Sequence, residues 1–221
     1  MFVPRHPVVE NQFCSYGAQT GTGSAGVGGV VCYAGAVLYL SQSASNQEAI
    51  VYRYDKQSTE PTDASERIPF GLSMQKVKTD YHQVHPTMFF MPGDLGSSDV
   101  IAAPTYDGAG NITGTAEAPV GVAHLGIWDT VHYTAEFTGT AGTDAVIASP
   151  ITPGALMYVG ANCGARLTTS NSGASGDTYD GKRLPNVGTV VARVVKGVSA
   201  AKATANINNV TLYPIRVKLM V

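Results

Sequence analysis

The sequence predicts an all-β chain: a β-barrel or β-sandwich of short antiparallel strands, built as two related β units behind an extended amino-terminal arm. Three observations predict it. No window of about twelve residues holds a sustained helical period. Short β-branched and aromatic runs recur, divided by Gly, Pro, Asp-Gly and Gly-Asn clusters. One strand pattern occurs twice.

That pattern is Gly35-Ala-Val-Leu-Tyr-Leu40 in the first half and Gly154-Ala-Leu-Met-Tyr-Val-Gly160 in the second. A polar excursion follows each copy. Then come a basic residue, an apolar residue, Pro and a nearby Gly: Arg67-Ile-Pro-Phe-Gly71 and Arg183-Leu-Pro-Asn-Val-Gly188. A supersecondary unit used twice gives such a repeat. The spacings Gly35 to Gly71 and Gly154 to Gly188 are nearly equal.

In chain order, Pro4 and Pro7 hold residues 1–13 extended and forbid a helix there. With Phe2, Val3, Arg5 and Val8 they form an arm that lies on its own domain or on a neighbouring subunit. Phe2, Val3, Pro4, Arg5, Pro7 and Val8 are the candidate contact residues, and removing residues 1–12 is expected to weaken attachment while leaving the barrel folded. The arm and a Gly-rich loop fill residues 1–30, a first β unit residues 31–92 and a second residues 93–221.

Strands are expected at residues 30–40, 49–54 and 68–78, around a polar loop at 55–67 that contains Pro61. Met88-Phe-Phe-Met91 reads as a short buried strand. Further strands follow at residues 100–103, 119–124, 130–137, 144–147, 155–159, 165–168, 189–195 and 210–221. In the last, Ile215, Val217, Leu219 and Val221 alternate with Arg216, Lys218 and Met220, and Pro214 marks an edge or a bulge.

Charged residues make up 14% of the 221 residues, and the net charge is −2. So few long charged side chains leave a surface of small polar groups, suited to packing against other protein. With a pI near 6.2 and no basic block, there is no electrostatic footprint for nucleic acid. Neither a signal-type run nor an apolar run approaching a membrane span is present. Cys14, Cys32 and Cys163 are an odd number without a CxxC spacing, so they read as small buried hydrophobes in a reducing compartment.

Motifs for chemistry are weak. Gly21-Thr-Gly-Ser-Ala-Gly26 matches the dinucleotide fingerprint, but a strand-like Val27-Gly-Gly-Val-Val follows where a helix is needed. Gly176-Asp-Thr-Tyr-Asp-Gly-Lys182 lacks the magnesium-binding hydroxyl of a phosphate loop, because Arg183 stands there, and it reads as a turn. His82 and His85 sit beside Pro86, with no Cys or carboxylate in register for a metal.

Ser97, Ser98, His124, His132 and Asp129 could supply a nucleophile, base and acid, yet no GxSxG elbow fixes any serine. Carboxylate pairs could be drawn from Asp94, Asp99, Asp107, Asp129 and Asp144, but nothing in the sequence sets their separation. Trp128 reads as a core or interface aromatic. Asn111-Ile-Thr113 and Asn209-Val-Thr211 match a glycosylation pattern that carries no meaning without a secretory signal. The expectation is no catalytic residue, no metal and no cofactor.

One series of segments is familiar in its order. It runs Pro119-Val-Gly-Val-Ala, Asp129-Thr-Val, Glu136-Phe-Thr-Gly139, Pro153-Gly-Ala-Leu-Met-Tyr-Val, Ala165-Arg-Leu-Thr-Thr, Val187-Gly-Thr-Val-Val and Arg216-Val-Lys-Leu. Over residues 93–221 it resembles the small β-barrel decoration, or cement, proteins of tailed-bacteriophage heads. In the first half only residues 35–78 echo that family.

The resemblance implies a non-enzymatic virion protein made in the host bacterial cytoplasm. It would bind the capsid exterior as a homotrimer at threefold positions, with the major capsid protein and its own copies as partners. Three copies of one surface turn marginal contacts into firm attachment through effective concentration. The alternatives are another all-β virion component, whether major capsid, tail-tube or receptor-binding protein, and a β-sandwich hydrolase.

Overall fold

The computed structural model of the chain describes residues 2–4, 11–17, 19–20, 30–40, 49–53, 69–78, 99–134, 137–138, 145–146, 150–159, 165–169, 178–179, 182–183, 190–207 and 212–221. The first half holds β1 (Phe2–Pro4), β2 (Asn11–Tyr16), β3 (Gln19–Thr20), β4 (Val30–Cys32), β5 (Val37–Leu40) and β6 (Ile50–Arg53). It continues with β7 (Pro69–Ser73), β8 (Lys76–Lys78), β9 (Asp99–Ile101), β10 (Pro104–Tyr106), β11 (Ile112–Thr115) and β12 (Ala118–Ala123). The second half holds β13 (Ile127–Thr130), β14 (Tyr133–Thr134), β15 (Phe137–Thr138), β16 (Ala145–Val146), β17 (Leu156–Val159) and β18 (Leu167–Thr168). After these come β19 (Thr178–Tyr179), β20 (Lys182–Arg183), β21 (Val190–Lys196), α1 (Ala200–Ile207) and β22 (Ile215–Leu219). The fold is all-β, as the sequence predicts.

Five strands close a barrel in the order β12-β2-β6-β5-β7. A larger sheet runs β1-β13-β22-β21-β17-β18-β14. Its members β13 and β14 are consecutive in the chain, with only Val131 and His132 between them. The sheet therefore follows the same circuit as the barrel, interrupted at that one step. Strand for strand, β13 with β14 corresponds to β2, β17 to β5, β18 to β6, β21 to β7 and β22 to β12. In both circuits all pairs are antiparallel except one, β2 with β6 and β14 with β18.

Registers match as well as order. Val37 faces Leu72 and Leu38 faces Gly71, then a shift brings Tyr39 opposite Pro69. Leu156 faces Arg193 and Met157 faces Ala192, then the same shift brings Tyr158 opposite Val190. Gly35 and Gly154 hold φ of 90° and 87°, a region open to glycine, and each starts its strand from a turn. Gly35 N donates to Ser73 O at 2.7 Å and Ser73 N to Ala36 O at 2.8 Å; Gly154 N donates to Val194 O at 2.8 Å and Val194 N to Ala155 O at 2.9 Å. Even the flanking pairs agree: Cys32 faces Val77, and Ile151 faces Val198.

Gly71 corresponds to Ala192 and not to Gly188, because backbone pairing with β5 and β17 sets the equivalence, not the spacing of glycines. The expected strand over 130–137 is broken at Val131 and His132. The barrel itself draws β2 from residues 1–30, β5 to β7 from residues 31–92 and β12 from residues 93–221.

The core is aliphatic and aromatic, with Tyr16, Leu38, Leu72, Trp128, Tyr133, Met157, Leu167 and Ile215 fully buried. Trp128 is a core aromatic whose Nε1 donates to Leu125 O at 3.0 Å. Cys14 and Cys32 are buried, and burial pushes the Cys14 thiol up. Cys163 lies outside the described residues, as do the strand expected at 88–91, the Gly21–Gly26 motif and the pair His82 and His85. Thr178 faces Arg183 and Tyr179 faces Lys182, so the described residues of the phosphate-loop look-alike belong to an antiparallel strand pair.

Candidate interaction surface

β1 ends on Pro4, whose fixed φ suits extended backbone. Phe2, Val3 and Pro4 of β1 pair antiparallel with Thr130, Asp129 and Trp128 of β13. Pro4 closes this short edge strand, where a missing N–H is tolerated. Of the six candidate contact residues these three lie on the chain's own second circuit, while Arg5, Pro7 and Val8 lie outside the described residues. β1 thus lies in the second circuit and β2 in the first barrel, so these two strands tie one circuit to the other. A backbone bond from Val37 N to Ala165 O, 2.9 Å, and the stacking of Tyr33 on His132 at 5.5 Å join them again.

The residues considered for catalysis are engaged separately. Asp129 is buried and accepts from Arg216 Nε at 2.8 Å and Nη2 at 3.3 Å. That carboxylate holds the Arg216 guanidinium above its ordinary pKa. His124 stacks on Phe70 at 6.0 Å, and the His132 backbone N donates to Thr130 Oγ1 at 3.1 Å. Asp107 turns the β10–β11 hairpin: its carboxylate accepts from Ala109 N, Asn111 N and Asn111 Nδ2, which lowers its pKa. Ser97, Ser98, Asp94 and Asp144 lie outside the described residues. Among the described residues no cluster of His, Cys, Asp and Glu could hold a metal, and no helix is long and apolar enough to cross a membrane.

A surface that the linear sequence hides lies on β21 and β22. Arg193 and Lys218 stand directly opposite each other and both are exposed. Lys196 faces Arg216 one step along, across a bulge that leaves Val195 exposed. Met220 extends the same edge, 52% exposed. Like charges in register repel, so the sheet gains nothing from this arrangement. The signal was present in the alternation of Arg216 and Lys218 with Ile215, Val217 and Leu219, but not the pairing with β21.

Beside this face Ile151, Pro153, Lys196, Val198, Ser199 and Lys202 border an open pocket of about 560 Å³. Ser199 leads into α1, its carbonyl accepting from Ala203 N at 3.0 Å. Beside the first barrel, Ala102 N just past β9 donates to the matching carbonyl of Lys78 at 2.7 Å, so α1 starts at the position that the β4-β8-β9 sheet occupies there. The Lys202 ammonium lies 5.2 Å from the Tyr213 ring centroid, within cation–π range.

No family model, no curated protein and no solved structure matches this chain.

Proposed function

We propose that the chain is a non-enzymatic structural protein of a tailed-bacteriophage virion, binding the outside of the capsid and stabilising it as a homotrimer at threefold positions. One observation carries the reading. Six of the seven segments that resemble cement proteins reach strands of the circuits: residues 119–123 fall in β12, 129–130 in β13, 156–159 in β17, 167–168 in β18, 190–191 in β21 and 216–219 in β22, while the seventh reaches β15 at residues 137–138, in a separate two-stranded sheet. All six belong to the two five-position circuits. Most of the resemblance thus falls on framework positions. A surface poor in long charged side chains suits lateral packing of many copies.

The test is binding to bare heads. Purified chain is titrated onto heads stripped of outer proteins, with sedimentation as readout, and its solution mass is measured by light scattering. Saturable binding by a species near three times 23.0 kDa is expected. A monomer that fails to co-sediment at any concentration overturns the reading.

A further inference from the structure

We infer that the outer face of β21 and β22, with the adjoining pocket, is a docking site for an extended, acidic segment of a partner protein that also carries apolar side chains. The comparison between the two circuits of this one chain carries the argument. Arg193 and Lys218 correspond to Leu72 and Ala123 of the first barrel, since Ala123 faces Leu72 as Lys218 faces Arg193. In the first barrel that pair is wholly buried, so the chain covers its own β7–β12 face. In the second, the same two positions are exposed cations. One copy of a duplicated unit has exchanged an internal contact for an open charged one.

Charge complementarity selects the occupant. Arg193, Lys196, Lys202 and Lys218 form no ion pair with a described residue, while Asp129 already neutralises Arg216. This cluster of cations stands on a chain whose net charge is −2, so it is a local feature and not a general basicity. Carboxylates spaced along a strand would neutralise it and remove the Arg193–Lys218 repulsion. The exposed Val195 and Met220 and the Ile151, Pro153 and Val198 wall give apolar contact that a phosphate backbone would not use. These features favour a protein segment over a nucleic acid. The site is independent of the oligomer and, under the function proposed above, names the kind of capsid segment that the second circuit grips.

The test uses the full chain and three fluorescent probes: a peptide alternating Asp with Val and Leu, its counterpart with Asn for Asp, and a twenty-residue oligothymidylate. Binding is read by anisotropy at low and high salt. The acidic peptide is expected to bind at least tenfold more tightly than the Asn peptide. That preference should weaken with salt and fall at least tenfold in Arg193→Glu/Lys218→Glu, and also in Lys196→Gln/Lys202→Gln, which introduces no new charge. Circular dichroism melting checks that each variant is folded; because each pair is exposed, a folded variant is expected. Equal binding of both peptides, no binding, unchanged binding in both variants, or tighter binding of the oligothymidylate overturns the inference. Native chain that takes the acidic peptide but not bare heads sinks the virion reading and leaves this site standing. Variants that bind heads like the native chain sink the site as a capsid contact and leave the virion reading standing.

Discussion

Tyr16 and Tyr133 occupy one and the same position of two related circuits, each fully buried and each paired in parallel with the third strand, at Val51 and at Leu167. Neither tyrosine belongs to the repeat visible in the sequence. Their equivalence follows because Val51 faces Leu40 as Leu167 faces Val159. The chain is thus a tandem of one five-strand plan, with β2 uninterrupted in the first copy and split into β13 and β14 in the second.

The Tyr133 hydroxyl donates to Tyr213 O at 2.6 Å and ties β14 to the approach to β22. Tyr133→Phe is expected to lower stability by about 1 kcal/mol, the net worth of one hydrogen bond. Tyr133→Ala should cost about 3–5 kcal/mol through the cavity it leaves. Urea titrations measure both.

Burial pushes the Tyr133 phenol up to about 12, whereas an unfolded tyrosine ionises near pH 10. The raised value means that the folded state favours the neutral phenol. Its contribution is intact below about pH 10 and is lost as pH rises through about 12. Urea midpoints should therefore fall between pH 10 and 12 in the native protein and fall less steeply in Tyr133→Phe. Identical slopes would rule Tyr133 out as a source of alkaline instability.

Three glycines separate conformational strain from steric overlap. Gly35→Ala and Gly154→Ala should each cost about 1–2 kcal/mol for forcing positive φ on a Cβ-bearing residue. At Gly154 nothing lies within 4 Å of the added methyl. Gly197→Ala should cost about 3 kcal/mol, because its Cβ would fall on Ile151 O and displace the Ile151–Val198 bridge. Thermal melts that rank Gly154→Ala as the worse substitution would contradict this.

Asp129 is the buried partner of its ion pair, with its side chain 9% exposed against 35% for Arg216. Removing the cation strands a buried carboxylate, while removing both partners does not. Arg216→Met is expected to lower the melting temperature more than Asp129→Asn/Arg216→Met does. A double-mutant cycle with no coupling would refute it.

Trimming the amino terminus must stop short of β2. Asn11 and Gln12 face Ala123 and Val122 in the barrel, so a deletion of residues 1–12 removes barrel strand as well as arm. Deleting residues 1–8 should preserve the cooperative melt but bare the β13 edge, raising self-association. Light scattering of the trimmed chain decides this, and unchanged mass at high concentration would argue against β1 as an edge cover.

How much was legible depended on whether one strand carried the signal. The Gly35 and Gly154 strands could be seen because a turn glycine and a continuous apolar run are local. The match of Gly71 to Ala192 could not, because hydrogen bonds to a distant strand set it. α1 was missed since eight residues are too few to show a period or to form a helix without tertiary support. The basic face escaped for a related reason: Arg193 and Lys218 are far apart in the chain and meet only across β21 and β22. Phe2, Val3 and Pro4 were picked out by their prolines, but no residue pattern named β13 as the strand they pair with.

β1 pairs with a strand that begins at Ile127, and the first barrel closes only with β12 at Ala118–Ala123. On a ribosome adding about 5–20 residues per second, both edges of β2 wait several seconds for a partner. The leading residues wait longer still, until the next unit emerges. The nascent polypeptide thus carries an unfinished sheet edge until β12 and β13 have been made, a window in which neighbouring nascent copies could exchange strands.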